Sequence, residues 1–192
     1  MKRILACIAL ALLLCGCIES NLALVPDDAA VFVGGLEGQW VLEDEPAKIL
    51  CAQAMEGTSL YALTVPDDDE VVVLAFLPLI EHHYLLRWDE ERAPGEMETL
   101  YVIVRQDLDG LFGLMIAENK DAVLEVARDL GFPAGSLEFT DYSLTINHPD
   151  REAQIALLQA VAARSEDFPG LKYVKVGELP CPEPAPEAAP AQ

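Results

Sequence analysis

Short apolar runs separated by turn-forming residues fill the middle of the chain, and they restrict its fold more than any other feature. The separators include Asp44-Glu45-Pro46, Glu56-Gly57 and Asp109-Gly110, residue types that favour turns. Connections this short join antiparallel neighbours, because parallel strands need a long crossover. The pattern predicts an antiparallel meander with strands at 39–43, 48–55, 59–65, 70–77, 82–88, 98–106 and 111–116.

Two of these runs, 71–77 and 100–104, are apolar at both alternating positions. A strand with one face in water alternates apolar and polar residues, so continuous runs indicate strands that are covered on both faces. The sequence therefore predicts an α+β domain, mainly a strongly curved antiparallel sheet or partly closed barrel. Two helices are expected to pack over part of its outside.

Residues 119–130 and a segment that begins at Pro149 have the pattern of those helices. Asn119 is a suitable N-cap for the first helix, and Gly131 is well placed to end it. Proline is common in the first turn of a helix, which places the start of the second. Further strands are predicted at 142–146 and 171–176.

Two short motifs, Gly38-Gln39-Trp40 and Thr140-Asp141-Tyr142, together resemble signatures of the lipocalins. Lipocalins and their calycin relatives are small barrels that bind apolar ligands. The resemblance implies that Trp40 is a structural residue that closes one barrel end rather than touching ligand. Lys172 or Lys175 would take the place of the arginine that stacks on this tryptophan in lipocalins. The chain differs from the family in the helix predicted before Thr140.

The N-terminal residues resemble a bacterial lipoprotein signal. Lys2 and Arg3 precede an apolar run over residues 4–14, too short for a transmembrane helix. Leu14-Cys15-Gly16-Cys17 resembles the lipobox, which implies cleavage before Cys17 and a covalent lipid, including palmitate-type acyl chains, on that cysteine. Ile18 after the cysteine resembles lipoproteins sorted to the outer membrane, so the expected location is its inner leaflet, facing the periplasm.

The chain then divides into four regions. Residues 1–16 are the predicted signal peptide, and residues 17–30 a lipidated tether. Residues 31–179 form a single globular domain, and residues 180–192, rich in Pro, Ala and Glu, a disordered tail.

Charge and cysteine content narrow the functional classes. The formal charge of −21 becomes −23 once Lys2 and Arg3 are removed with the signal. Such a surface repels nucleic acid. Cys51 and Cys181 remain as a pair in an oxidising compartment and are predicted to form a disulfide, with two free thiols as the alternative.

No nucleophile turn or metal motif occurs in the sequence, so we predict no catalytic residue, no metal and no cofactor other than the lipid on Cys17. His82 and His83 are adjacent on a strand and point to opposite faces, which does not suit one ion. The leading hypothesis is a non-enzymatic, periplasm-facing lipoprotein whose domain binds or organises something at the envelope, with an apolar ligand or an envelope protein as a possible partner. The alternatives are a lipocalin-like carrier of an apolar ligand and a hydrolase with paired carboxylates.

Overall fold

A computed structural model gives the structure of residues 17–64, 71–93, 96–178 and 180. For residues 48, 90–93 and 96 it describes the backbone alone. The predicted signal peptide lies outside these residues, as does Cys181 and almost all of the predicted tail.

Eight antiparallel strands form a closed barrel in which each strand lies beside its neighbour along the chain until the last one. β11 (Gly170–Gly177) closes the barrel by pairing with both β2 (Gly38–Leu42) and β8 (Gly110–Leu114). Antiparallel order follows from the short turns of the sequence. The strands are β2 (Gly38–Leu42), β3 (Glu45–Ala54), β4 (Tyr61–Thr64), β5 (Val71–Ile80), β6 (His83–Ala93), β7 (Glu96–Asp107), β8 (Gly110–Leu114) and β11 (Gly170–Gly177).

A small sheet branches from the barrel at β7. Near its end β7 pairs with β8, whereas at Tyr101 the same edge pairs with Ile18 of β1 (Cys17–Ser20). β1 runs parallel to β10 (Ser143–Ile146), with Cys17 opposite Ser143, and β10 pairs with β9 (Leu137–Phe139). Cys17 therefore lies at the point where the small sheet branches from the barrel.

Two helices cover the outer face of the long strands. Asn119 caps α1 (Lys120–Asp129), because its side chain accepts a hydrogen bond from the Ala122 amide. Asp150, one residue after the predicted start, caps α2 (Arg151–Ala162). Within the described ranges, three short 3₁₀ turns lie at Asp27–Ala29, Ile116–Asn119 and Ser165–Asp167.

The apolar residues form two cores, one on each side of the β5–β7 sheet. Trp40, Phe76 and Trp88 belong to the core inside the barrel. Ala75 and Ile103 belong to the other core, which lies between the sheet, β1, β10 and the helices. Because alternate residues of a strand face opposite sides, the continuous apolar runs are explained and the predicted covering of both faces is confirmed.

The segment that follows β1 is held to the domain by two arginines and a tyrosine. The Tyr101 hydroxyl accepts a hydrogen bond from the Leu24 amide, and the Arg151 guanidinium donates to the Leu24 carbonyl at 2.7 Å. Arg87 donates to the Val25 carbonyl and pairs with Asp27 at 2.6 Å. Residues 17–30, expected as a tether, thus include a strand and buried residues of the folded domain.

Most strand predictions agree with the structure, and the main differences lie outside the barrel. β1 and β9 were not predicted, because each has only three or four residues. Thr140-Asp141-Tyr142 is a turn between β9 and β10, in which the Thr140 hydroxyl accepts from the amides of Tyr142 and Ser143. This motif therefore belongs to the branching sheet and not to the barrel.

Candidate ligand cavity

Residues 31–36 cross one end of the barrel and close it. Val33 and Leu36 are buried in the inner core. The Tyr61 hydroxyl donates to the Val33 carbonyl and accepts from the Val33 amide, both at 2.9 Å. Trp40 Nε1 donates to the Leu36 carbonyl at 2.7 Å, and Gln106 donates to the Gly34 carbonyl. The crossing segment is therefore fixed by side chains that reach it from β2, β4 and β7.

Gly38, directly before Gln39 and Trp40, is required by the backbone and by Lys175. Its φ is +132°, and a Cβ built there would lie 2.8 Å from Lys175 Cε and 3.0 Å from the Gly177 carbonyl oxygen. Lys175 is opposite Trp40 in the β11–β2 register, and its ammonium donates to the Gly35 carbonyl at 3.3 Å. Lys172, in contrast, pairs with Glu43 and Asp109.

An apolar cavity of about 100 Å³ lies inside the barrel. Its walls are inward residues of all eight strands, and they include both tryptophans of the chain. An engineered cavity of about 150 Å³ binds benzene, whereas pockets for drug-sized ligands measure roughly 300–1,000 Å³. The space suits a small ring or a short alkyl group. The lining includes Trp40, Phe76, Trp88, Leu100, Val102 and Tyr173.

Trp40 contributes both to the closed end of the barrel and to the wall of the cavity. Its indole nitrogen is bonded at the closed end of the barrel, while its ring also lines the cavity. The antiparallel eight-stranded barrel is compatible with the lipocalin resemblance. The Trp40 ring lines the cavity because the crossing segment lies directly above the cavity and shares this side chain with it. The expectation that Trp40 does not touch ligand stays a prediction.

Tyr173 brings a hydroxyl to a lining that is otherwise almost entirely carbon. It lies opposite Leu42 of β2 and Leu111 of β8. Its hydroxyl makes no hydrogen bond to another residue that the structure describes. Burial, together with the negative charge of Glu45, raises the pKa of Tyr173 well above its usual range.

The two described cysteines occupy different sides of the barrel wall. Cys17 is buried and lines the cavity at the branch point of β7. Cys51 is buried on β3 between Leu50 and Ala52, which line the cavity, so it faces the other side. Cys181 lies outside the described residues, and its pairing with Cys51 stays a prediction.

Acidic side chains of the described residues meet one another across basic side chains, and no described acid or histidine lines the cavity. Asp27 and Asp89 approach each other only through Arg87, which pairs with both at 2.6 and 2.8 Å. His82 occupies an exposed turn with φ of 59°, and His83 contacts the Glu81 carbonyl. The described residues contain no group of three potential metal ligands, and the cavity walls contain no carboxylate.

Comparisons with protein-family models, with curated proteins and with solved structures found no match for this chain. None of the helices in the described ranges is long and apolar enough to cross a membrane.

Sequence reasoning missed three residues that shape the cavity: Trp88, Gly113 and Tyr173. Gly113 leaves room, since a Cβ there would meet only Val102 and Leu171 at 3.8 and 3.9 Å. The only sequence signal for the cavity lining is strand alternation, which places Leu100, Val102 and Val104 of β7 on one face. Alternation indicates which residues share a face, but not which of them leave space.

Proposed function

We propose that the barrel is a binding module that holds a small apolar molecule in its cavity. The observation that carries this proposal is the apolar cavity itself. Protein interiors are close-packed with few voids larger than water. Leaving about 100 Å³ empty costs on the order of 2 kcal/mol. A molecule that fills the space therefore stabilises the folded state.

Ligand binding fits the cavity better than hydrolysis does. Paired-carboxylate hydrolysis needs two acids that converge on a substrate, and the cavity walls contain none. The volume also favours a small ligand over a long-chain lipid. This makes the lipocalin-like carrier the preferred alternative, with a smaller ligand space.

We also propose that a lipid on Cys17 holds the domain at a membrane, with the inner leaflet of the outer membrane as the expected location. The lipobox-like residues before Cys17 support this. A diacylglyceryl group is far larger than the cavity that the Cys17 side chain lines. Lipidation therefore requires this side chain to turn out of the wall, and the domain would then begin directly at the membrane surface.

Tryptophan fluorescence tests ligand binding directly, because the two tryptophans of the chain, Trp40 and Trp88, both line the cavity. Toluene should change their emission saturably. Native mass spectrometry of the protein made in a bacterium should show an adduct that is lost on denaturation. Absence of both signals would refute the binding proposal.

Gly113→Leu provides a variant that fills the cavity. Its Cβ makes only ordinary contacts, and the added side chain extends into the ligand space. We expect a folded protein that no longer binds toluene. Gly34→Leu is the matched control, since Gly34 is exposed and has nothing within 4 Å of its Cβ position. Equal binding by both variants would place the ligand elsewhere.

The anchor is tested by intact mass and fractionation of the full chain made in a bacterium. The expected mature protein begins at Cys17, has the added mass of the lipid, and sediments with membranes. Cys17→Ser should lack the added mass and remain soluble. A wild-type protein without lipid mass would refute the anchor and leave the cavity proposal standing.

A further inference from the structure

We infer that the ligand is uncharged and has an oxygen that hydrogen-bonds to the Tyr173 hydroxyl inside the cavity. This inference rests on the proposed function and specifies its ligand class. The class is that of small aromatic or short-chain alcohols and ketones, and it excludes the corresponding carboxylates.

Tyr173 places a hydroxyl in apolar surroundings. Its side chain is partly buried and lines the cavity from β11. A polar group in such surroundings is nearly always hydrogen-bonded, and leaving it without a partner is costly. No other described residue supplies that partner to Tyr173. A ligand oxygen placed beside this hydroxyl would therefore replace a missing interaction rather than compete with an existing one.

The charges around the cavity disfavour an anion. None of the lining residues is Lys, Arg or His. Glu45 acts on Tyr173 with a negative charge. A carboxylate would lose its hydration here and meet negative charge, so burial of an anionic ligand is strongly disfavoured.

Three ligands of similar size separate these effects: toluene, benzyl alcohol and benzoate. Each is titrated into the full-length protein and followed by tryptophan fluorescence. We expect benzyl alcohol to bind roughly three- to tenfold more tightly than toluene, as one net hydrogen bond allows. Benzoate should bind at least about tenfold more weakly than benzyl alcohol.

Tyr173→Phe retains the ring and removes the hydroxyl, so it should bind benzyl alcohol and toluene with the same affinity. Tyr84→Phe is the control and should retain the preference for the alcohol, because Tyr84 is not among the cavity-lining residues.

Three results would overturn the inference while leaving the proposed function intact. The first is benzoate binding as tightly as benzyl alcohol. The second is toluene and benzyl alcohol binding equally to the wild type, as expected if water bonds the hydroxyl. The third is the alcohol keeping its advantage in Tyr173→Phe. Failure of all three ligands to bind would instead refute the proposed function, and the inference with it.

Discussion

Removing the Tyr61 hydroxyl tests how firmly the segment across the closed end of the barrel is held. This oxygen bonds both the amide and the carbonyl of Val33 at 2.9 Å, and all three groups are buried. Tyr61→Phe would leave both backbone groups without this partner. Each loss costs about 1–3 kcal/mol, so we expect the free energy of unfolding to fall by about 2–6 kcal/mol.

The ring contacts of Tyr61 should survive the substitution. Phe32 stacks on it at 5.6 Å between centroids, and Phe76 meets it edge-on at 5.7 Å. The loss should therefore come from the hydrogen bonds alone. If opening is local to residues 31–36, exchange of the Val33 amide should accelerate by roughly 30- to 25,000-fold.

Denaturant unfolding and amide hydrogen exchange measure these two effects. Tyr84→Phe is again the matched control, since the Tyr84 hydroxyl makes no hydrogen bond to another described residue, while its ring packs edge-on against Phe76. A change of less than about 0.5 kcal/mol in the control is expected. A Tyr61→Phe protein that is as stable as the Tyr84→Phe protein and shows unchanged amide exchange at Val33 would contradict this prediction.

Three further predictions concern the N-terminal segment, alkaline pH and the cysteines. Arg151→Ala removes hydrogen bonds to the Ala23 and Leu24 carbonyls and should cost about 1–3 kcal/mol in denaturant unfolding; stability equal to the wild type would contradict this. Burial raises the pKa values of Tyr61, Tyr101 and Tyr173. Their contribution is complete below about pH 10 and should be lost above it, because the unfolded chain then releases protons that the folded state retains; stability that is flat from pH 10 to 12 in unfolding titrations would argue against it. Non-reducing mass analysis of peptides should show Cys51 joined to Cys181, and alkylation of both thiols without reduction would exclude the disulfide.

The barrel was predictable from the sequence because residues that are close together in the chain determine its strand order. Turn residues at Asp44-Glu45-Pro46 and Asp109-Gly110 separate strands that pair with their neighbours in the chain. The apolar runs at 71–77 and 100–104 require cover on both faces, and the two cores provide it. Each of these inferences depends on residues that are close in the sequence.

The parts that could not be predicted depend on distant contacts. β1 is a four-residue strand whose parallel partner begins at Ser143, and nothing within residues 17–20 indicates that pairing. The cavity depends on the volume of the side chains around it, and Gly113 leaves space because it has no side chain. An isolated glycine in a strand does not predict such a space, because it indicates a bulge or a close approach equally well. Tyr173 had no local sign of facing inward, because its neighbours Lys172 and Val174 do not make a clear alternating pattern.

The parallel pairing of β1 with β10 has a consequence for the order in which the chain becomes folded. Strand partners that are 126 positions apart in the β1–β10 register meet only after a large loop has closed, which is entropically costly and slow. During synthesis, which starts at the N terminus, Cys17 can pair with β10 only after residues 143–151 have been made. A chain truncated before Ser143 should therefore be cleaved by a protease between residues 17 and 24, where the complete chain resists. The bond before Cys17 would remain accessible to the proposed processing during synthesis. β1, the first of the described strands to be synthesised, would be the last one to join the sheet.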